Sequence, residues 1–231
     1  MKTIGIIGGM GPLATADLFR KIVCHTKASC DQEHIHILID NNTAIPDRTA
    51  ALLHGGEDPL PQMKKSAHWL ELGGADCLIM PCNTAHNYHT ALQKKVSIPI
   101  LNMIELTCGE LKERGIDCAG LLATTGTVQT GIYQSAADRY GIRLLTPDEY
   151  GQAAVMDMIY RGVKAGAGEY DTTAVEDVVS ALFTAGAQTM ILGCTELPLA
   201  AELYHLAFQT VDPTMELAKG AIRFAGGTVI P

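Results

Sequence analysis

The chain has 231 residues, of which 47% are hydrophobic and 18% are charged, which is typical of a soluble globular protein with one large or two small domains. Its formal net charge of −8 and the lack of any basic run argue against nucleic acid or an anionic membrane surface as a partner. No apolar run approaches the roughly 18 residues that a membrane-spanning helix needs.

Short apolar runs alternate along the chain with amphipathic stretches long enough to form helices. Because this alternation is typical of βαβ units, it predicts an α/β protein with parallel sheets. The runs predicted as strands are 3–8, 34–40, 77–81, 98–101, 119–123, 142–146 and 189–193. The stretches predicted as helices are 12–28, 59–73, 86–95, 103–114, 130–140, 151–164, 172–185 and 213–225.

The first strand runs into a glycine-rich turn, in the sequence IGIIGGMGPLA. Gly and Pro interrupt this segment, so we interpret it as a strand and a turn rather than a secretory signal. The turn has the outline of a dinucleotide-binding fingerprint, and Asp40 ends the second strand. Pro12, however, has no N–H to offer a phosphate, and the fingerprint explains none of the cysteines. We therefore expect no nucleotide cofactor.

The chain also repeats itself. Residues 74–84 (GADCLIMPCNT) align with 186–196 (GAQTMILGCTE) without a gap, which places Cys82 on Cys194. Upstream, 4–12 resembles 119–127 in the same order. This pattern predicts two pseudo-symmetric, duplicated α/β halves with an active-site cleft between them. We expect the first to comprise 1–100 and a C-terminal helix at about 211–231, and the second to comprise 101–210.

Two of the seven cysteines, Cys82 and Cys194, each follow an apolar strand at the start of a polar segment. The polar residues that follow them are Asn83, Thr84, Thr195 and Glu196. Backbone N–H groups and a helix dipole at such a turn lower the pKa of a thiol and can hold a carboxylate. Two thiols facing one cleft could remove a Cα proton on one side and return a proton on the other.

The other five cysteines are interpreted as small apolar residues: Cys24, Cys30, Cys77, Cys108 and Cys118. An odd number of cysteines without CxxC pairs indicates reduced thiols and a cytoplasmic protein. The same spacing argues against zinc, and His34 and His36 on one strand face are interpreted as structural. We therefore expect no metal.

Five segments together, GIIGGMGP, NNTAIPDRT, MPCNTAH, LLATTGTV and ILGCTELPL, resemble the aspartate/glutamate racemase family, in particular its two-cysteine aspartate racemases. The resemblance covers nearly the whole chain. It implies two α/β domains, a homodimer, and catalysis without pyridoxal phosphate or metal. Glutamate racemases carry an Asp-Ser motif after the first strand and a His after the second Cys-Thr. Gly8-Gly9-Met10 and Glu196 stand in those places here, which favours the aspartate branch.

The prediction for function is a cofactor-independent amino-acid racemase in which Cys82 and Cys194 exchange the roles of acid and base. An acidic amino acid, aspartate first, is the expected substrate. Hydroxyl and amide donors of Asn83, Thr84 and Thr195 could stabilise the enediolate that forms at Cα.

Other residues are predicted to bind the substrate carboxylates. The resemblance implies this role for Arg48, in a loop after the second strand, and for Lys164, although either could be a solvated surface residue. Thr127 is predicted to line the cleft. Glu196 could receive the substrate ammonium, hold the cysteine loop or begin a helix. His86 is expected to support the Cys82 loop rather than act as a base.

Two other classes of function remain open from the residues. The first is a sister activity on the same scaffold, such as a hydantoin racemase, maleate isomerase or arylmalonate decarboxylase, which often needs only one of the thiols. The second is a non-catalytic amino-acid binding protein, since a fold alone guarantees no chemistry.

Overall fold

The computed structural model describes all residues, 1–231, and they form two compact units. Unit 1 comprises Met1–Leu106 and Thr214–Pro231, and unit 2 comprises Thr107–Pro213. None of the helices combines the length and the apolar character needed to span a membrane.

Seven strands and eleven α-helices make up the two units. The strands are β1 (Ile4–Gly8), β2 (Ile37–Asn41), β3 (Cys77–Ile79), β4 (Cys118–Ala123), β5 (Arg143–Leu145), β6 (Met190–Gly193) and β7 (Thr210–Val211). The helices are α1 (Pro12–His25), α2 (Arg48–Leu53), α3 (Leu60–Leu72), α4 (His89–Gln93), α5 (Met103–Glu113), α6 (Thr125–Gln129), α7 (Ile132–Tyr140), α8 (Glu149–Asp157), α9 (Thr173–Thr184), α10 (Glu196–Leu203) and α11 (Pro213–Ala225). Further helical turns are the 3₁₀ segments Asp31–Glu33 and Thr84–Tyr88 and the π-helix Met158–Lys164.

Unit 1 contains a three-stranded parallel sheet in the order β2-β1-β3. All five residues of β1 are buried, because helices cover both faces of the central strand. Ile4 and Ile6 pack in one core with α1 and α11, while Ile7 belongs to a second core with α3. Burial on both faces explains why this strand is continuously apolar rather than alternating.

Unit 2 contains a four-stranded parallel sheet in the order β5-β4-β6-β7. Its first three strands repeat the order of unit 1, with β4 in the place of β1 and β6 in the place of β3. The central strand β4 is again buried along its whole length. The predicted fold class, two parallel-sheet α/β regions, is confirmed, and the sequence repeat corresponds to a repeated strand order.

One predicted strand, 98–101, is absent. Ile100 makes a single parallel bridge to Leu78, through hydrogen bonds that Leu78 exchanges with Pro99 and Leu101. Pro99 has no N–H, so the ladder cannot extend through this segment. The prediction mistook an apolar connection for a strand.

Two predicted helices are more irregular than their periodicity indicates, whereas the helix predicted at 130–140 corresponds to α7, which begins after Gly131 with φ of 64°. The segment 86–95 begins within the 3₁₀ turn of Thr84–Tyr88 and continues as the short α4. The segment predicted as one helix over 151–164 changes from α8 to the π-helix Met158–Lys164.

Four short elements were not predicted, namely α2, α6, α10 and β7. None has more than eight residues, which is too short for an apolar period to stand out. Two of them carry candidate site residues, since Arg48 begins α2 and Glu196 begins α10.

Candidate active site

The first candidate thiol lies in a tight turn of unit 1. Cys82 follows the end of β3 by three residues and is 6% exposed. Its N–H donates to the Met80 carbonyl at 2.9 Å, and the 3₁₀ helix begins two residues later. Asn83 and Thr84 are also buried. The strand and the 3₁₀ helix therefore fix the thiol at the carboxyl edge of the sheet, where open parallel sheets bind ligands.

The ring of His86 contacts the backbone of this turn and the backbone at the start of α5. Its Nδ1 lies 2.9 Å from the Cys82 carbonyl, and its Nε2 lies 3.1 Å from the backbone N–H of Met103. The ring is buried, and burial lowers its pKa to about 4, although the contact with the Cys82 carbonyl favours the charged form. His86 is therefore a neutral, doubly engaged ring at neutral pH, as the prediction of a supporting role implies.

The second candidate thiol lies in unit 2, directly after β6. Cys194 is 7% exposed, and its Sγ donates to Oε2 of Glu196 at 3.0 Å. The Thr195 hydroxyl donates to the same oxygen at 3.4 Å, and Lys164 Nζ lies 3.0 Å from Oε1. The side chain of Glu196 is only 6% exposed. A buried carboxylate thus accepts hydrogen bonds from a thiol and a hydroxyl and pairs with an ammonium.

The pKa of the Cys194 thiol is raised well above its usual range. Burial is the largest cause, followed by the negative charge of Glu196 and the hydrogen bond to it, while the charge of Lys164 opposes the shift. The expectation that a helix N-terminus lowers the pKa of both thiols is therefore wrong for Cys194. Desolvation and an adjacent carboxylate outweigh the dipole of α10.

Of the three roles left open for Glu196, its contacts correspond to holding the cysteine loop, and its position as the first residue of α10 corresponds to beginning a helix. Its partner Lys164 ends the π-helix and lies 5.4 Å from the centre of the Tyr160 ring. The side chain of Lys164 is 29% exposed, so the alternative of a fully solvated helix-end lysine is wrong.

Arg48 is neither in a loop nor solvated. It is the first residue of α2, whose N-cap is Asp47, and it is 8% exposed. Its Nη1 donates to the Pro46 carbonyl and its Nη2 to the Met10 carbonyl, each at 3.0 Å. The guanidinium therefore ties the segment before α2 to the glycine turn after β1.

The glycine turn after β1 is closed by its own helix. The N–H of Gly9 donates to Thr15 Oγ1 at 3.0 Å, and Thr15 donates to the Gly11 carbonyl. Gly9 has φ of 89°, and a Cβ there would lie 2.3 Å from the Asn42 carbonyl, so only glycine fits. The N–H that a dinucleotide fingerprint would offer to a phosphate is used internally.

The corresponding turn of unit 2, after β4, carries two buried threonines. Thr124 caps α6, and its hydroxyl lies 3.1 Å from that of Thr127, which is fully buried. Because Ala123 pairs with Gly193, Thr124 and Cys194 follow neighbouring strands at the same level of the sheet. Thr127 lies near this edge, at the start of α6.

Tyr133 of α7 is a neighbour of Cys194 that the sequence did not indicate. It is fully buried and hydrogen-bonded to Thr107, and it is close enough to Cys108 and Cys194 for their charges to raise its pKa further. Burial is the main cause of its pKa lying well above 10. Nothing in the local sequence distinguishes this tyrosine from a core aromatic.

No group of three or more His, Cys, Asp or Glu side chains is arranged to hold a metal ion. At Cys194 a thiol, a carboxylate and an ammonium lie together, and these are groups that can transfer protons and bind anions.

Comparison with known proteins agrees with the motifs. The model of the Asp/Glu/hydantoin racemase family matches residues 7–221. The structure of the aspartate racemase of Picrophilus torridus is similar over 100% of this chain and 96% of its own, with 33% identity and a TM-score of 0.87.

Two curated relatives extend the comparison. A broad-specificity amino-acid racemase of Bacillus subtilis is 27% identical over 95% of this chain and 96% of its own length. A glutamate racemase of Aquifex aeolicus is 30% identical over 59% of this chain and 52% of its own. The resemblance drawn from the sequence motifs is confirmed, and the chain belongs to the Asp/Glu/hydantoin racemase family.

Proposed function

We propose that this protein is a cofactor-independent racemase that interconverts L- and D-aspartate, with Cys82 and Cys194 as its acid and base. The observation that carries the proposal is the duplication of a thiol. Each cysteine follows the equivalent strand, β3 or β6, of two sheets with the same strand order. Two-base racemisation needs such a pair, whereas a single nucleophile would need only one.

In the proposed reaction one cysteine, as thiolate, takes the Cα proton. The electron pair left on carbon delocalises into the adjacent carboxylate as an enediolate, and the other cysteine, as thiol, protonates the opposite face. The first sulfur is then a thiol and the second a thiolate, so the product complex is ready for the reverse direction. Donors from Asn83, Thr84 and Thr195 would stabilise the enediolate.

We propose that Cys194 begins as the proton donor in the free enzyme. Its contact with the Glu196 carboxylate and its buried position both favour the thiol form. Cys82 would then be the first proton acceptor. Glu196 would hold the S–H of Cys194 until the substrate arrives.

An acidic substrate is supported by two basic residues. Lys164 is engaged by Glu196, and a substrate carboxylate could take the place of that partner. Arg48 has five N–H donors, so its two contacts with backbone carbonyls are compatible with binding a second carboxylate. Thr127 is proposed to line the same site.

The names of the similar proteins define the substrates to test. They are an aspartate racemase with 33% identity, a glutamate racemase and a broad-specificity amino-acid racemase. Aspartate comes first because of the higher identity over the whole chain, followed by glutamate and then neutral amino acids.

The decisive experiment is incubation of the purified protein with L-aspartate in D2O without added cofactor. Loss of optical rotation together with loss of the Cα–H signal in proton NMR would establish racemisation through a deprotonated carbon. Exchange with glutamate but not aspartate would keep the mechanism and change the substrate. If no amino acid exchanges, the proposal fails, and the maleate isomerase and binding-protein alternatives are tested next.

The expected homodimer and cytoplasmic location stay predictions. Light scattering after gel filtration would give twice the chain mass of 24.6 kDa for a dimer. All seven cysteines are free thiols, and a reducing compartment would keep them so.

A further inference from the structure

The two nitrogens of the His86 ring have different tasks. A carbonyl oxygen only accepts hydrogen bonds, so Nδ1, which faces the Cys82 carbonyl at 2.9 Å, must carry the ring proton. A backbone N–H only donates, so Nε2, which faces the Met103 N–H at 3.1 Å, accepts that hydrogen bond only when it is unprotonated. The Leu101 carbonyl also faces the ring and favours a protonated nitrogen. The Cys82 and Met103 contacts are satisfied together only by the neutral Nδ1–H tautomer.

A second histidine reinforces the first. The ring of His89 stacks on that of His86, with centroids 6.0 Å apart and planes 12° from parallel. Its Nε2 lies 2.8 Å from the Ile100 carbonyl. The two rings thus fasten the connection from Ile100 to Met103, which is not held by a regular strand, to the Cys82 turn.

This arrangement matters because the His86 ring contacts the backbone of Cys82 itself. The Cys82 N–H is bonded to Met80, two residues away, and the carbonyl of Cys82 is bonded to the His86 ring. A group that transfers a proton must be held within a fraction of an ångström of its working position, since a misplacement of about 1 Å can cost about 100-fold in rate.

We infer that His86 is a positioning residue for Cys82, and that its Nδ1–H tautomer fixes the thiol by linking the Cys82 carbonyl to the first amide of α5. This inference rests on the proposed function, since it takes Cys82 as a reacting group, and it adds a residue to which no catalytic role has been assigned. His86 does not itself exchange protons with the thiol, because both of its nitrogens are engaged by the backbone.

The first test uses the wild-type protein labelled with ¹⁵N-histidine. Long-range proton–nitrogen NMR should show the His86 ring with a protonated Nδ1 and a bare Nε2 at pH 7, its signals being assigned by their loss in His86→Asn. An Nε2–H tautomer or an imidazolium at pH 7 would overturn the inference.

Three substitutions separate the two contacts. In His86→Asn the side-chain amide can still donate to the Cys82 carbonyl. In His86→Gln the longer side chain brings the amide toward the Met103 N–H. His86→Phe keeps the ring shape and removes both hydrogen bonds. We expect kcat to fall about 100-fold in His86→Phe and about tenfold or less in His86→Asn, with KM changed by less than about threefold. His68→Asn, on the exposed side of α3, is the matched control and should leave kcat unchanged.

The primary isotope effect, measured separately for each enantiomer, provides a readout that general destabilisation would not change. With Cα-deuterated substrates, His86→Phe should raise the primary isotope effect for the enantiomer that Cys82 deprotonates and not for the other. An equal rise in the isotope effect for both enantiomers, in a variant shown to be folded by circular dichroism, would contradict a specific link to Cys82.

An activity-independent measurement completes the test. Peptide-resolved alkylation with iodoacetamide should show the ratio of Cys82 to Cys194 rates changed by at least about threefold in His86→Phe and restored toward wild type in His86→Asn. An unchanged ratio in all three variants would overturn the inference.

If the wild type racemises no amino acid, the proposed function fails, while the tautomer and the ratio of alkylation rates still decide the role of His86. If His86→Phe does not fold, the wild-type spectrum and His86→Asn decide it.

Discussion

The turns that carry Cys82 and Cys194 occupy equivalent places in their sheets but are held by different chemistry. The Cys82 turn is held by backbone groups and a neutral histidine ring. Cys194 is held by a buried carboxylate, itself paired with a lysine. A duplicated strand order thus preserved the position of a thiol without preserving its electrostatic surroundings. In a two-base reaction, this difference can decide which thiol holds the proton at rest.

The largest expected effect comes from removing either thiol. Cys82→Ala and Cys194→Ala should each lower the rate of racemisation by about 10³-fold or more, since a general acid or base contributes about 10²–10⁴-fold. Polarimetry with L- and D-aspartate measures the loss. Cys30→Ala, which removes an exposed thiol, should leave the rate unchanged.

Exchange in D2O can separate the two faces. Each single variant keeps one base, so one should exchange the Cα proton of L-aspartate without inversion and the other that of D-aspartate. A cysteine variant that still inverts at the wild-type rate would break the proposed pairing.

The next effect is on stability and concerns His86. Its folded pKa of about 4 lies below the ordinary value of 6.5, so below pH 6.5 the unfolded chain binds a proton that the folded ring does not. This contribution is complete above pH 6.5 and is lost as the pH falls toward 4. One pKa unit corresponds to about 1.4 kcal/mol, so the loss reaches roughly 3 kcal/mol.

Urea unfolding at a series of pH values between 4 and 7 measures this loss. His86→Asn should have a shallower dependence of unfolding free energy on pH than wild type. The exposed His68→Asn should not, and it is the matched control for the loss of a histidine. Identical slopes in both variants and wild type would show that His86 does not contribute to the pH dependence of the unfolding free energy.

A smaller effect is expected from neutralising the carboxylate at Cys194. Glu196→Gln removes a charge and an acceptor that both raise the pKa of the thiol, so that pKa should fall. The pH dependence of Cys194 alkylation, resolved by peptide, measures it. Glu202→Gln, an exposed position of the same helix, is the control. An unchanged or higher Cys194 pKa would show that burial alone sets it.

The smallest effect is expected from Lys164. Lys164→Met should raise the KM for aspartate about tenfold, as expected for the loss of one partly exposed charge contact. Because the charge of Lys164 lowers the Cys194 pKa, the same change should also raise that pKa. Steady-state kinetics and Cys194 alkylation measure the two effects. Arg161→Met, an exposed cation of the same π-helix, should change neither.

The features that the sequence predicted correctly come from local or repeated patterns. The continuous apolar runs of β1 and β4 predicted buried parallel strands, and the gapless alignment of 74–84 with 186–196 predicted a repeat. Position relative to a strand end can be read locally, so Cys82 and Cys194 were placed just beyond β3 and β6. The prediction of a strand at 98–101 was wrong because Pro99 has no N–H with which to continue the ladder, and hydrophobicity does not record this.

The sequence by itself therefore determined the fold class, the family and the two strand ends that carry the thiols. Only the tertiary structure decided that Arg48 is buried against the Met10 carbonyl, that Glu196 joins Cys194 to Lys164, and that Tyr133 lies near Cys194. All of these contacts except the one between Cys194 and Glu196 join segments far apart in the chain, and their strength depends on burial. The pKa of Cys194 illustrates the reason, because the helix N-terminus visible in the sequence lowers it, whereas the desolvation created by packing raises it more.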